Sequence, residues 1–266
     1  MWWAMGPPYN TAMQLADIGA NLTHASFRED LDAVLARARA AGVETIVVTG
    51  TSVAETRKAL ELGFLTTAGV HPHHARDCDA GTIPALRALA GNAKVVAIGE
   101  CGLDFNRNYS PHPDQEKWFV AQLELAAELG KPLFLHSRDA HPRFAEILRN
   151  LRVGKAVAHC FTGEREELRA YLDLGLYIGI TGWICDERRG AHLLRLVQEI
   201  PQDRLLLETD SPYLTPRDLR PQPKARRNEP AHLPHILRAV ARARGEAPEA
   251  LAESTTRNAK AFFGIA

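Results

Sequence analysis

Short apolar runs alternate with amphipathic segments along almost the whole chain, and the apolar runs are typical of β-strands. They cover residues 15–20, 45–49, 65–70, 95–99, 132–135, 156–159, 177–181 and 204–209. Most of these runs are nearly continuous in hydrophobic residues, which is the pattern of strands buried on both faces of a parallel sheet. The sequence therefore predicts parallel strands that are covered by helices.

The segments between the strands have the periodicity of helices. Residues 27–42 and 113–130 place apolar side chains at helical spacing, and both segments end at a glycine, a common residue just beyond the end of a helix. Further helices are predicted over residues 53–62, 82–90, 140–150, 164–174, 187–199, 230–244 and 247–263. Eight strands that alternate with helices over about 250 residues predict a (β/α)8 TIM barrel.

We expect one TIM-barrel domain over residues 1–266, in which residues 1–14 form an extension outside the core. The regular pattern begins near Leu15, and Met13 is an alternative start of translation. The alternative fold is a doubly wound open sheet, which usually carries a glycine-rich phosphate-binding loop after its first strand. This chain has neither a GxGxxG motif nor a Walker A motif, so the barrel is favoured.

Five of the apolar runs lead into a residue that can bind a metal ion or move a proton. These residues are His71, Glu100, His136, His159 and Asp210. The carboxyl ends of the strands of a parallel barrel lie on one face, so side chains at these ends converge. Any one of them alone is more readily explained as a hydrogen-bonded structural residue. Five at equivalent positions, however, indicate a shared metal site.

The residue types fit metal-assisted hydrolysis. Neutral imidazoles suit Zn, Mn, Fe or Co, whereas carboxylates suit harder ions such as Mg and Mn. A metal-bound water is a good nucleophile near neutral pH, and a nearby carboxylate can take its proton. Glu100 is the natural bridge between metal ions and Asp210 the natural base.

The composition limits the possible partners and the location of the protein. Lys and Arg together number 32 and so do Asp and Glu, so any binding of nucleic acid must depend on a local patch. Four cysteines without a CxxC pair indicate free thiols in a reducing compartment. No apolar stretch is long enough for a membrane span, and the first residues lack the features of a secretory signal. We therefore expect a cytoplasmic protein with no membrane partner.

A cationic segment follows the last strand. Residues 217–227 hold five basic residues and one acidic residue. Arginine presents a planar fork that matches phosphate, so we expect a phosphate-binding rim around the site, with a merely solvated rim as the alternative. The candidate arginines are Arg107, Arg138, Arg188, Arg226 and Arg227. Tyr109, Phe161 and Trp183 also follow strands, and either stack on bases or pack in the core.

Several longer motifs carry a resemblance to a known family. They are AGVHPH at 68–73, AIGECGLDFNRN at 97–108, LHSRDA at 135–140, AHCFTG at 158–163, GITGWICDERRG at 179–190, LLETDSPYL at 206–214 and RRNEPAHLP at 226–234. The chain resembles the TatD family of metal-dependent deoxyribonucleases over nearly its whole length. The resemblance implies a (β/α)8 barrel, a divalent metal site and 3′→5′ exonuclease action on single-stranded DNA, and also on RNA.

The resemblance also assigns roles to the strand-end residues. By position, Glu100, His136 and His159 match metal ligands of the family. Asp210 matches the acid after the last strand, which we expect to act both as a ligand and as the base. His71 matches the catalytic histidine after the third strand.

One motif departs from the family pattern. Most relatives carry a DxHxH motif on the first strand, whereas this chain has Gly19 and Asn21 in place of the two histidines. We therefore expect one firm metal site at Glu100, His136 and His159, with Mg²⁺ as the expected ion and Mn²⁺ or Zn²⁺ as alternatives. A second, weaker ion is expected near Glu100 and Asp210.

Together these features predict a monomeric exodeoxyribonuclease with a role in DNA repair or DNA degradation. Two other functions are open at this point. The same metal site would serve the hydrolysis of a small amide, lactone or phosphoester. Alternatively, the loss of the first-strand histidines would fit a barrel that binds a partner without catalysis.

Overall fold

The computed structural model describes residues 13–223 and 225–265, which contain one sheet of eight parallel strands. The strands are β1 Leu15–Ala20, β2 Val43–Val48, β3 Leu65–Ala68, β4 Val95–Asp104, β5 Leu133–Arg138, β6 Ala156–Ala158, β7 Tyr177–Ile180 and β8 Leu205–Leu207. Each strand pairs with the next one along the chain. The barrel is closed between the end of β1 and the segment that follows β8. There, Asp210 N donates to Gly19 O (2.8 Å) and Asn21 N donates to Ser211 O (2.6 Å). The predicted (β/α)8 barrel is therefore confirmed.

Helices follow the strands around the barrel. They are α1 Leu31–Ala40, α2 Val53–Glu61, α3 Thr82–Ala90, α4 His112–Leu129, α5 His141–Leu151, α6 Arg165–Asp173, α7 Leu193–Leu196, α8 Leu233–Arg244 and α9 Pro248–Phe263. Six of the predicted helices are confirmed to within one residue at each end, and α1 is shorter than predicted. Among the described residues, no helix combines the length and apolar character that a membrane span requires.

The helix predicted over residues 187–199 is wrong in extent, because only α7 forms there. The Asp186 carboxylate accepts hydrogen bonds from the backbone N–H groups of Arg188 (3.0 Å) and Arg189 (3.2 Å), and Gly190 N donates to Asp186 O (2.7 Å). Such local hydrogen bonds compete with those of a helix. The helix predicted over residues 230–244 likewise begins with a 3₁₀ turn before α8.

The prediction that residues 1–14 lie outside the core is wrong for Met13. Met13 is buried and packs in the main hydrophobic cluster together with Leu15 and Val43. Residues 1–12, which make up the rest of the predicted extension, lie outside the described residues.

Helix α9 covers the end of the barrel at which the strands begin. Phe262 and Phe263 belong to one buried cluster with strand residues such as Leu206. The side-chain amide of Asn258 donates to Leu205 O (3.0 Å), at the first residue of β8. The loops that follow the strands lie at the opposite end of the barrel, called the open end below.

Two buried glutamines of α4 hold the chain at the open end. The Gln122 side chain accepts from Val70 N (2.7 Å) and donates to Val70 O (3.2 Å), immediately before His71. In the same way, the Gln115 side chain accepts from Asp104 N (2.8 Å) and donates to Asp104 O (3.1 Å). The two glutamines are seven residues apart, or about two helical turns, so they lie on one face of α4. Helix α4 thus fixes two strand ends that lead into the candidate site.

The Gln122 contact predicts a measurable loss of stability in a variant of similar size. In Gln122→Met, the buried N–H and C=O groups of Val70 lose their partners, which costs about 1–3 kcal/mol in the free energy of unfolding. Urea unfolding would measure this loss. Glu124→Met, on the exposed face of α4, is the matched control and should change the free energy by less than about 0.5 kcal/mol. Equal stability of the two variants would contradict the role of Gln122.

Candidate metal centre

Glu100 projects into the barrel from an irregular step in β4. Gly99 and Cys101 pair with consecutive residues of β5, so Glu100 is an extra residue between them. Its backbone N–H donates to Gly50 O (2.9 Å) instead. Irregular steps of this kind re-aim a side chain and are common beside active sites. The step turns the carboxylate of Glu100 toward the open end, where it is 5% exposed.

Three imidazoles converge on one oxygen of this carboxylate. Glu100 Oε1 lies 2.7 Å from His159 Nε2, 2.9 Å from His136 Nδ1 and 3.3 Å from His71 Nε2. His136 lies within β5, His159 directly follows β6, and His71 lies three residues beyond the end of β3. The structure thus brings together four of the five residues that the sequence places at strand ends.

The fifth residue, Asp210, lies three residues beyond β8 and lines the same cavity as Glu100. Its Oδ1 accepts a hydrogen bond from the side-chain amide of Asn21 (2.9 Å). Asn21 stands in place of a first-strand histidine and has no imidazole to offer a metal ion. Its N–H group instead holds the predicted base in place.

The side chains around Glu100 fit a divalent cation. Ligand atoms of His71, Glu100 and His136 all lie within 4.8 Å of one another, and His159 also contacts Glu100. A buried carboxylate surrounded by imidazole nitrogens is a donor set used by Zn²⁺ and by first-row transition metals such as Mn²⁺. The described residues therefore contain a candidate metal-binding group at the predicted place.

Two further carboxylates lie on the far side of the imidazoles, within hydrogen-bond distance in the case of His159. Glu208 Oε2 lies 3.3 Å from His159 Nδ1, and Asp104 Oδ2 lies 3.7 Å from His136 Nε2. Each ring therefore presents its other nitrogen to Glu100. A carboxylate behind a ligating imidazole fixes the ring orientation and raises its basicity.

Sequence reasoning missed both Asp104 and Glu208. The strand prediction over residues 95–99 ended too early, whereas β4 continues to Asp104. Glu208 directly follows β8, two residues before Asp210, which is the residue that the sequence pattern predicts there. The strand-end criterion that identified the other residues would have found both carboxylates with the correct strand bounds.

His71 is oriented as a hydrogen-bond donor. Its Nδ1 accepts from the backbone N–H of His73 (3.1 Å), so the neutral ring carries its proton on Nε2, which faces Glu100. Burial lowers the pKa of His71 to about 4, which keeps this ring neutral. His73 belongs to the same turn, and its Nε2 lies 2.6 Å from Asp104 Oδ2.

Gly19 makes room for Glu208. A Cβ atom at position 19 would lie 2.5 Å from Glu208 Oε2 and 3.0 Å from the ring of Phe134. No larger side chain fits there without displacing the carboxylate that contacts His159. Glu208 thus occupies the space that a side chain at position 19 would need.

Burial and the neighbouring charges act in opposite directions on the site carboxylates. Burial alone would raise the pKa of Glu100, but His159, His71 and His136 hold it well below its usual range. Burial raises the pKa of Asp210 to about 7, although His159 partly opposes this effect. The pKa values of the two carboxyls are therefore driven apart, which is common for pairs with different roles.

The site lies at the base of a cavity of about 620 Å³ that opens between the loops. Arg107, Tyr109 and Tyr213 line this cavity together with the site residues. The two tyrosines are 54% and 51% exposed, so their rings are accessible to a ligand. Phe161, by contrast, is buried and packs in the core.

The five candidate arginines differ in their surroundings. Arg107 lines the cavity, and no ion pair within the described ranges holds it or Arg226. Arg138 lies over the ring of Trp183 (5.0 Å), and Arg188 is near Asp186 (3.7 Å). The Arg227 guanidinium is bound to Asp30 through two hydrogen bonds of 2.8 and 2.6 Å. Of the five, Arg227 is the one whose guanidinium makes two hydrogen bonds to a carboxylate.

Comparison with known proteins extends the similarity over the whole barrel. Residues 16–264 match the family described as TatD related DNase. The 3′-5′ ssDNA/RNA exonuclease TatD of Pantoea ananatis is 55% identical over 257 residues, which cover 94% of this chain and 99% of that protein. The protein of the same name from Shigella flexneri is 54% identical, again over 94% of this chain and 99% of that protein.

Solved structures give the same result. The crystal structure of a TatD family hydrolase from Entamoeba histolytica has a TM-score of 0.87 and 28% identity, and covers 95% of this chain and 98% of that one. The TatD homologue YJJV of Escherichia coli has a TM-score of 0.86 and 27% identity at the same coverage. The resemblance found in the sequence is thereby confirmed, and this chain belongs to the TatD-related DNase family of hydrolases.

Proposed function

We propose that this chain is a metal-dependent exonuclease that hydrolyses phosphodiester bonds from the 3′ end of single-stranded DNA and RNA. The observation that carries this proposal is the convergence of three imidazoles on the Glu100 carboxylate, at the base of a cavity that also presents an arginine and two tyrosines. The relatives from Pantoea ananatis and Shigella flexneri bear the name 3′-5′ ssDNA/RNA exonuclease, which supports the direction and the substrates.

Glu100, His136 and His159 would hold the metal ion, with Asp210 as a further ligand. When bound, a divalent ion there supplies positive charge for the scissile phosphate and lowers the pKa of a coordinated water. We propose Mg²⁺ first, because Gly19 and Asn21 take the place of two imidazole donors. Oxygen atoms therefore make up a larger share of the metal ligands. Mn²⁺ and Zn²⁺ are the alternatives, since imidazoles favour them. A second, weaker ion would lie near Glu100 and Asp210.

Asp210 is the general base in this proposal. A carboxyl with a pKa of about 7 is half ionised at neutral pH and can accept the proton of an attacking water. The amide of Asn21 occupies one oxygen of Asp210 and leaves the other for that water. Asn21 is therefore a positioning residue for the base.

His71 and Arg107 act on the phosphate. The neutral His71 ring carries its proton on Nε2, on the side of the site, and would donate it in a hydrogen bond to a phosphate oxygen without adding a charge of its own. Arg107 lies farther out in the same cavity and offers its guanidinium to the phosphate. Arg138, Arg188 and Arg226 would contact the more distant backbone, whereas Arg227 serves the structure through its contact with Asp30.

Tyr109 and Tyr213 favour single strands in this proposal. A stacked duplex hides the faces of its bases, whereas a frayed or single strand exposes them to aromatic side chains. Tyr109 packs edge-to-face on His73 (4.7 Å between ring centroids) and Tyr213 on His24 (5.8 Å), so both rings are held at the cavity. A cavity of about 620 Å³ accommodates a strand end more readily than a duplex.

The proposal also covers the location, the oligomeric state and the biological role of this nuclease. We place it in the cytoplasm as a monomer whose single domain covers residues 1–266, with a role in DNA repair or degradation. All four cysteines are free in the structure, consistent with a reducing compartment.

Loss of the central carboxylate should abolish the reaction. Glu100→Ala and Glu100→Gln are expected to reduce kcat/KM on end-labelled single-stranded DNA by more than about 100-fold, since losing only an outer partner of a ligand costs about 10–100-fold. The assay uses metal-stripped protein resupplied with Mg²⁺, Mn²⁺ or Zn²⁺. Glu124→Ala is the matched control on the surface of α4. Full activity of Glu100→Ala would disprove the assignment, and a panel of amide, lactone and small phosphoester substrates would then identify another hydrolase.

Loss of the Asn21 contact should slow the reaction without weakening binding. Asn21→Ala frees the Asp210 carboxylate to rotate, and we expect kcat to fall by about 10–100-fold while KM for single-stranded DNA changes little. Steady-state kinetics across pH would measure both constants and the apparent pKa of the base. Asn92→Ala, at the end of the barrel where the strands begin, should have no effect. A change in KM alone would contradict the positioning role.

Loss of either tyrosine ring should weaken binding of substrates that have bases. Stacking on one base contributes about 1–3 kcal/mol, so Tyr109→Ala and Tyr213→Ala should raise KM for single-stranded DNA by roughly 5- to 150-fold. The phenylalanine variants should retain the wild-type KM, because the ring is kept. An oligonucleotide with abasic 3′-terminal positions should be insensitive to these changes. Equal losses on normal and abasic strands would rule out stacking.

A further inference from the structure

A second group of metal-binding side chains lies away from the candidate metal centre. Ligand atoms of Cys185, Asp218 and His235 all lie within 4.8 Å of one another. His235 Nε2 and Asp218 Oδ1 are 2.7 Å apart. A thiol, a carboxylate and an imidazole make up a donor set that contains soft, hard and borderline ligands, all of which bind Zn²⁺.

The three residues come from three separate segments of the chain. Cys185 ends the 3₁₀ helix that follows β7, Asp218 lies in the loop of residues 211–229 after β8, and His235 lies in the first turn of α8. Residues so distant in sequence meet only through the fold. A metal ion bound to all three would fasten loop 211–229 to two rigid elements of the barrel.

The spacing is close to that of a tetrahedral site. With metal–ligand distances of about 2.0–2.3 Å, the ligand atoms of a zinc site are separated by roughly 3.3–3.8 Å. The hydrogen-bonded pair of Asp218 and His235 would have to open by about 1 Å, and the thiol at most to approach by a similar distance. Rotation of exposed side chains is enough for such shifts, because Asp218 is 50% exposed and His235 26% exposed.

The charges also fit a divalent ion. Burial raises the pKa of the Cys185 thiol, so the side chain is neutral in the absence of a cation. Binding of Zn²⁺ would release the thiol proton, and the thiolate and the Asp218 carboxylate would then balance the two positive charges. Water can fill the fourth position of a site with three protein ligands, and the exposed side of Asp218 leaves room for it.

We propose that Cys185, Asp218 and His235 form a second metal site, selective for Zn²⁺ and similar borderline ions, that fastens loop 211–229. This site is distinct from the candidate metal centre, in which no thiol is a ligand. A metal ion there would also affect the cavity above the candidate metal centre, because Tyr213 and Leu214 of the same loop line that cavity. The neighbouring Arg217 already joins this loop to Glu187 (3.2 Å), so the metal would add to an existing contact.

The test uses Co²⁺ as a spectroscopic probe for the thiolate ligand. Cobalt bound to a cysteine thiolate gives an intense charge-transfer absorption in the near ultraviolet, whereas cobalt bound to imidazole and carboxylate does not. We expect this absorption in the full-length wild type and equally in Glu100→Ala, which lacks the central ligand of the other site. It should be lost in Cys185→Ser and should need more cobalt in His235→Ala. Cys78→Ser, outside both sites, is the matched control and should retain it.

A thermal shift with zinc provides a second measurement. In the Glu100→Ala background, Zn²⁺ at a hundredfold excess over its Kd should raise Tm by about 5–10 °C, and the additional Cys185→Ser change should remove this shift. Circular dichroism would verify that Cys185→Ser is folded. The absence of the absorption band with cobalt in excess, or its persistence in Cys185→Ser, would overturn the proposal. Both readouts are independent of nuclease activity, so the proposed function can fail without affecting this result.

Discussion

The neutralisation of one buried carboxylate is the interaction on which the site depends. Glu100 is 5% exposed, and an ionised carboxylate at such a position is costly unless it is paired. Three imidazoles from three different strand ends supply this pairing, at 2.7 to 3.3 Å from one oxygen. A closed parallel barrel is needed for the arrangement, since it directs the carboxyl ends of all strands to one face.

A second layer of contacts holds the central group in position. Glu208 is within hydrogen-bond distance of the far nitrogen of His159, and Asp104 contacts His73 (2.6 Å) and lies 3.7 Å from the far nitrogen of His136. Gln115 in turn binds both backbone groups of Asp104 from helix α4. The orientation of the site thus depends on hydrogen bonds that extend to the outer ring of helices. This is consistent with the general dependence of metal sites on the partners of their ligands.

The two ends of the barrel have different tasks. Helix α9 buries aromatic side chains where the strands begin, so this end of the barrel contributes to stability. The open end carries the cavity, and its loops combine exposed rings with arginines that differ in how far they are already paired. Arg227 shows why a basic run cannot be equated with a phosphate site, because its guanidinium is engaged with Asp30. Among the candidate arginines, Arg107 lines the cavity, together with the carboxylates of Glu100 and Asp210.

The sequence alone determined the barrel and five of the residues at its open end, though not Asp104 and Glu208, because buried parallel strands have continuous apolar runs and their ends must converge. It could not determine side-chain directions. The register step at Glu100, the amide of Asn21 on Asp210 and the fit of Gly19 against Glu208 each depend on atoms far apart in sequence. The same holds for Cys185, Asp218 and His235, which no local pattern connects. Periodicity reports which residues are buried, whereas only the packed structure decides which buried groups face each other.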